Sequence, residues 1–571
     1  MIAVVAIGMV SPIRARQSAL SETERIVHAL NRLGYGPRPG DIDKVRAMTL
    51  PVYVEQQLHP ERIDDRVVEA KLAAYRTLSM SHAELLAAYP PVAPEALRQR
   101  HSALQKRETA LARAAGGGTE TSALPSGAPL SPRLFRDMAG RDRPVAQEFY
   151  RGKLLRVVYS DRQLLELVVD FWMNHFNINY GDNHAATDFE NHVVRPLALG
   201  RFHDLLAATA KRPAMLEYLD NWLSAAPAEE VEQRLAPLRG SSSPADRLTV
   251  QRRLPFLRRA SGLNENYARE LMELHTLGVD GGYTQQDVIE VAKCFTGWTI
   301  DGGREEEGSF RFDPLIHVGG DKVVLGHTIA AGGIDEGEQV LRILSRHPST
   351  ARFVSTKLVR RLIADDPPAE VVDAAARTFL RTDGDIREVL RTIITSPAFF
   401  APEHHQAKVK KPIELVASTL RAVNADIDMD AAFQRLAQAL AQMGEPLYSH
   451  PSPDGFPDVA PAWVNTNALL RRLHFALAVA SGEVPGVTRD LQAARSLLRE
   501  MGVPEPTPAQ LARAQTAPAK PQEGQGQPMM MAGESMAMGA APAAIDAEKS
   551  GAGVLQLVVA GMLGGPQFQK R

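Results

Sequence analysis

Cysteine is almost missing: Cys294 is the single one in 571 residues. A lone thiol excludes an intrachain disulfide and any zinc or iron–sulfur site built from cysteines. No sign of charge dominates either. Lys+Arg number 65 against 67 Asp+Glu, a net charge of −2, so no global positive field draws the chain to nucleic acid or anionic lipid, and no nucleic-acid partner is expected. No apolar run reaches the roughly 20 residues that cross a bilayer, so no transmembrane span is expected. A phosphate-cradling loop and a dinucleotide fingerprint are both missing. So is a Gly-x-Ser-x-Gly elbow, which counts against an α/β-hydrolase. No period of 20 to 50 residues repeats, which argues against a solenoid.

What is present is the composition of a large globular protein, with 44% hydrophobic and 23% charged residues. At roughly 150 residues per domain the length allows three or four units, or one large helical body with appendages. The 42 glycines and 39 prolines predict long loops. At the start, Ile2–Val10 is apolar apart from Gly8, and small residues follow from Ser11 to Ala19. This pattern resembles the apolar centre and cleavage region of a secretory signal whose basic leading part is missing, and it points to a periplasmic or secreted protein. A frayed terminus or a first strand is the plainer alternative.

Hydrophobic spacing divides the rest. Residues 1–20 form the signal-like segment and 21–90 the N-terminal helices. The first helix opens on a capping box, Ser21 with Glu24 three residues on, and a second helical stretch runs from Asp41 toward Leu58. Residues 91–131, rich in proline and containing Gly116-Gly117-Gly118, read as a flexible linker. A central helical block covers 132–300, with a polar insertion at 224–250. In the glycine-rich region 301–335, Phe310-Arg311-Phe312 and Lys322–Leu325 predict a small hairpin. C-terminal helices fill 336–502. Residues 503–548 are a Met/Pro/Ala-rich segment expected to be disordered, and a final helix within 549–571 packs back on the core. The fold class expected is mainly α, a multi-helix globular body with a small β-hairpin-containing insertion and long loops.

Two helices carry polar residues where apolar ones are expected. On a wheel of about 100° per residue, 162–176 is apolar around most of its circumference, and His175 falls inside that surface beside Asn174. A buried imidazole needs partners for both ring nitrogens, and a satisfied core histidine accounts for it as well as a ligand does. The helix from Asn264 to Leu277, stopped by Gly278, collects Glu265, Arg269, Glu270 and Glu273 on one face and Leu271, Leu274 and His275 on the other. Glu273 and His275 then lie about 200° apart and cannot share a metal ion within a regular helix. The same geometry weakens Glu190 with His192. The acidic face is either a set of surface ion pairs at i, i+4 or the lining of a cleft in which a carboxylate acts as acid or base. His317, Lys322 and His327 sit in a loop that would either close over a pocket or serve as solvated connection. Met529, Met530, Met531, Met536 and Met538 would suit copper(I), but an Ala/Met-rich linker explains them without it. Cys294 lies on the apolar run Val288–Phe295 and reads as a core thiol.

These residues form a series. Phe171-Trp172-Met173-Asn174-His175-Phe176, Arg195-Pro196-Leu197-Ala198-Leu199-Gly200 and Ala214–Asn221 precede the long run Asn264–Gly278. Gly281–Thr284, Thr296-Gly297-Trp298, His347–Phe353, Lys357-Leu358, Pro453-Asp454-Gly455-Phe456-Pro457 and Pro566–Gln569 follow. The series resembles the bacterial family catalogued as domain of unknown function 1800, over roughly residues 25–570. The resemblance implies a mostly helical protein, commonly exported and often encoded beside an exported alkaline-phosphatase-like or sulfatase-like protein. It matches an asparagine–histidine pair to Asn174 and His175 and an acidic position to Glu190. The chain departs from the pattern at Val318, where an aspartate ordinarily follows the histidine matched by His317.

Two functions compete. In one, this is an exported enzyme of hydrolase or lyase type whose pocket is bordered by Asn174, His175, Glu190, Asn264, Glu270, Glu273 and His275. Glu270, Glu273, His275 and Asn264 are its candidate catalytic residues, and His175 and Glu190 are candidate ligands of a divalent metal ion. In the other, it is a non-catalytic binding or assembly partner of the co-exported phosphatase-like protein. The first requires the runs around His175 and Glu270 to meet around a polar hollow.

Overall fold

Ser21 caps the first helix, Glu22–Arg32, as the box predicts: its side chain accepts from the Glu24 N–H, and the Glu24 carboxylate accepts from the Ser21 N–H at 2.8 Å. The computed structural model describes residues 19–90, 143–178, 183–241, 243, 244, 246, 250, 262–301, 308–516 and 551–571. The signal-like start, the 91–131 linker and the methionine-rich part of 503–548 lie outside the described residues. The front of that last segment is described: Val503 is buried and Pro508–Thr516 is helical. The helical stretch from Asp41 divides at Thr49, whose φ of 77° cannot continue a helix, into Asp41–Met48 and Leu50–Leu58.

The body is mainly α-helical. At its centre the helix Gln163–His175 is enclosed on most sides, with Leu164, Leu167, Val168, Val169 and Trp172 buried. Trp172 donates its indole N–H to the Ala198 carbonyl at 2.9 Å, so the polar atom of this large core side chain is satisfied. The helix Pro412–Ala422 is buried along its whole length. Two segments widen to π geometry: Phe189–Val194, and Leu271–Leu277 directly after the α-helix Glu265–Glu270. π turns in helices commonly mark functional or strained places.

The strands of the described residues lie in the glycine-rich region, except that the first comes from the end of the stretch read as the central helical block. β1 (Trp298–Ile300) pairs antiparallel with β2 (Phe310–Phe312), Trp298 opposite Phe312. β3 (Lys322–Val324) pairs with β4 (His327–Ile329) through a two-residue turn, Leu325 and Gly326, both at positive φ. The polar insertion contributes a helix, Ala228–Arg239, and a second small core formed by Ala225, Ala226, Val231, Leu235, Val250 and Ile316. His317 is not over a pocket. Its ring bonds the Thr296 carbonyl at 2.8 Å and the Glu336 carboxylate at 3.1 Å, and Lys322 reaches the same carboxylate at 2.5 Å. This buried knot fastens the β region onto the helix Ile334–Ser345. Among the described residues, no helix is long and apolar enough to cross a membrane.

Candidate functional site

The helix Gln163–His175 ends beside a cleft of about 300 Å³. Three stretches line it: Asp170, Phe171, Asn174 and His175 from that helix; Lys357, Arg360 and Arg361 from the helix Pro348–Leu362, joined by Lys411; and the loop Asp454–Val459. Asn174 sits in the last helical turn, and its amide clamps the loop by accepting from the Phe456 N–H at 2.7 Å and donating to the Phe456 carbonyl at 2.9 Å. Gly455 makes this approach possible, because a Cβ there would stand 2.3 Å from the Asn174 carbonyl oxygen.

His175 is buried, its ring stacked on Phe171 and edge-on to Phe176. Its Nε2 lies 3.1 Å from the backbone carbonyl of His275. That carbonyl is available because the π turn stops at Gly278, leaving the last carbonyls without intrahelical donors. A carbonyl only accepts, so Nε2 carries the proton and Nδ1 holds the lone pair. Lys357 donates to that Nδ1 from 2.9 Å. Burial and the neighbouring Lys357 both push the His175 imidazole well below its ordinary pKa, so it stays neutral.

Lys357 is the unusual group. The residue is half-buried and lines the cleft, and among the described residues no carboxylate forms an ion pair with it. Burial, reinforced by Arg360, lowers its pKa to about 8 against the more distant pull of Asp454 and Asp458. Arg360 donates its Nε to the Asp365 carbonyl at 3.1 Å and likewise forms no ion pair among the described residues. The deeper cations are neutralised. Arg361 pairs with Glu414 at 2.9 Å and Asp170 at 3.4 Å, and Lys411 pairs with Glu445 at 3.1 Å and Asp170 at 3.2 Å. The floor is therefore a closed ionic network, and the basic side chains of the lining that form no ion pair among the described residues are Lys357 and Arg360.

The runs around His175 and Glu270 do meet, through the His175–His275 contact, but the hollow is not lined by the expected carboxylates. Asn264 caps its helix, accepting from the Asn266 N–H at 2.8 Å and donating to the Leu219 carbonyl at 2.9 Å. Glu273 accepts from the Tyr283 hydroxyl at 3.1 Å. Glu270, half-buried, has its carboxyl raised first by burial and then by Glu273, with Asp454 adding to the same effect. This acidic face thus borders the Asp454 loop from outside the cleft. The His275 ring is buried with no partner for its Nε2 among the described residues, its pKa lowered to about 3 by burial, and the residue serves the site through its carbonyl.

Glu190 lies fully buried, away from the cleft lining. Arg156 and Arg195 reach one carboxylate oxygen at 3.2 and 3.0 Å, and Tyr448 bonds the other. Burial raises its carboxyl, but Arg195, Lys153 and Arg156 outweigh that and hold it ionised. Both ring nitrogens of His175 are occupied, so it offers no lone pair to a cation. Among the described residues, no three His, Cys, Asp or Glu side chains gather in a way that would hold a metal ion. Lys357, Arg360 and Asp458 were not singled out from the sequence. Lys357 and the 453–457 run do appear in the motif series, which was the one available signal.

A family model described as "Protein of unknown function (DUF1800)" matches residues 28–570. No curated protein and no solved structure matches the chain.

Proposed function

The chain belongs to the DUF1800 family of unknown function, and we propose that this protein is an enzyme of lyase or hydrolase type that works in the Lys357 cleft on a small anionic substrate. The observation that carries the reading is the Lys357 amine, held 2.9 Å from the lone pair of a neutral histidine and open to a 300 Å³ cleft. A lysine is an effective base or nucleophile when burial frees it of its proton near neutral pH, and such perturbed groups concentrate at functional sites. Arg360 supplies the anchor for a carboxylate or phosphate, since its guanidinium presents several donors and forms no ion pair among the described residues, although Asp454 and Asp458 line the same cleft. A cleft of this size suits a small molecule or the end of a polymer. His175 and Asn174 position these groups: one directs the amine, the other fixes the loop that forms the opposite wall.

The test is competitive labelling at pH 8 with trinitrobenzenesulfonate, an anionic amine reagent, read by peptide mass. An amine with half its population unprotonated should react at least about tenfold faster than the average surface lysine, and inorganic phosphate should protect it. Labelling of Lys357 at the surface rate, indifferent to phosphate, contradicts the reading. The apolar Ile2–Val10 stretch and the small residues after it support a periplasmic or secreted location. Recovery of the protein in the cytoplasmic fraction, with its first residues retained, would refute that location.

A further inference from the structure

The Lys357 amine gives one N–H to His175 Nδ1, and this bond sets the direction of what remains on the nitrogen. In the unprotonated amine the lone pair cannot point at Nδ1, because the imidazole presents its own lone pair there. It is left to one of the remaining positions on a nitrogen whose side chain lines the cleft. Arg360 follows three residues later on the same helix, so the two side chains start within about 5–6 Å of each other on one face. Both line the same hollow. Arg361, the i+4 neighbour, is removed from contention by Glu414 and Asp170. The cleft thus holds one amine and, one helical turn on, one guanidinium with no ion pair among the described residues, the two groups that a carbonyl carbon attached to an anionic group calls for.

We propose that Lys357 forms an imine with a small carbonyl compound carrying a carboxylate next to the carbonyl, a 2-oxo acid, whose carboxylate is taken by Arg360. This rests on the reading of the cleft as an enzyme site and selects the lyase side of it. The nitrogen lone pair attacks the carbonyl carbon and forms the C–N bond, while the carbonyl π pair moves to oxygen. That oxygen takes up the proton the nitrogen loses, giving a carbinolamine. The hydroxyl then leaves as water with a proton from solvent at the cleft mouth, and the nitrogen pair closes the C=N bond. Neutral amine, ketone and one proton from solvent thereby become iminium plus water, with atoms and charge conserved. The iminium withdraws electrons from the adjacent carbon, which is the chemistry that lyases of this kind use.

The experiment treats the full chain with pyruvate and cyanoborohydride, which reduces the imine to a stable secondary amine, and maps the adducts by mass. Lys357 should carry the reduced adduct in preference to every other lysine. Losing one charge-assisted anchor should lower that yield about tenfold or more, either with acetone in place of pyruvate or in Arg360→Met. Lysines far from the cleft serve as internal controls, and their labelling should not change. Adducts spread over the surface lysines with no preference for Lys357 overturn the proposal, as does equal labelling of Lys357 by acetone and pyruvate. Fast labelling of Lys357 by trinitrobenzenesulfonate alongside no pyruvate adduct would sink the imine while leaving the enzyme reading in place.

Discussion

Asn174 and Phe456, 282 positions apart, are joined by two hydrogen bonds between one side-chain amide and one peptide unit. The amide uses its acceptor and one donor at once, so no other polar side chain of similar size replaces it. Asn174→Ala removes both bonds and should destabilise the protein by roughly 2 kcal/mol. The loop should loosen more than the body does. Amide exchange at Phe456 therefore accelerates in the variant; protection equal to the wild type would show that the clamp does not hold the loop.

Gly455 allows that clamp to close. Its φ is +74°, and a Cβ would stand 2.3 Å from the Asn174 carbonyl oxygen, a backbone atom that cannot swing aside. Gly455→Ala combines backbone strain with this overlap and should cost about 1–3 kcal/mol or more. Thermal unfolding reads this directly, and an unshifted midpoint would contradict the close approach.

The helical body was legible because its signals are local. The Ser21–Glu24 box and the hairpin at 322–329 form where their own residues dictate, whereas the run at 310 pairs with Trp298–Ile300, at the end of the stretch read as helical. The site was legible only in part. Asn174 and His175 stand out as polar groups on an apolar helix, and both line the cleft. The expected role of the His275 ring did not follow, because the wheel supposes a regular helix. The chain instead widens to a π turn at Leu271–Leu277, and what it offers is a backbone carbonyl. Lys357 stands out in the sequence only as a member of the motif series, for a different reason. A lysine on an amphipathic helix looks like any solvated charge, and its lowered basicity comes from burial and then from Arg360, while its hydrogen-bond partner is a histidine 182 residues away.

His275 predicts an acid sensitivity. Its folded pKa is lowered to about 3, whereas in the unfolded chain it titrates near 6.5. Between those values the unfolded state binds the extra proton, so stability falls as pH drops from 6.5 toward 3. His275→Phe keeps a ring against Phe176 and removes the titration. Urea unfolding across that window should show a slope reduced by about one proton in the variant. An unaltered slope would mean that the ring is charged or solvated in the native protein.

Lys410 predicts the opposite limb. Its amine is buried over the Phe568 ring at 3.9 Å with no hydrogen-bond partner among the described residues, and burial lowers its pKa to about 7. The unfolded chain keeps that proton to about 10.4. The penalty is therefore full below pH 7 and is relieved as pH rises from 7 toward 10.4. Lys410→Met, similar in shape and uncharged, should raise stability by a few kcal/mol at pH 6 and flatten the rise above pH 7. A Lys410→Met variant less stable than wild type at pH 6 would show that the buried ammonium is held by more than the ring.

The Lys357 amine, on which the functional reading turns, should lose its proton near neutrality while facing the cleft. Nitrogen-15 NMR of lysine-labelled protein, with the Lys357 signal assigned by its disappearance in Lys357→Arg, measures this without any substrate. The account predicts a titration midpoint of about 8 for Lys357. A midpoint near the ordinary lysine value of about 10.4 would contradict it.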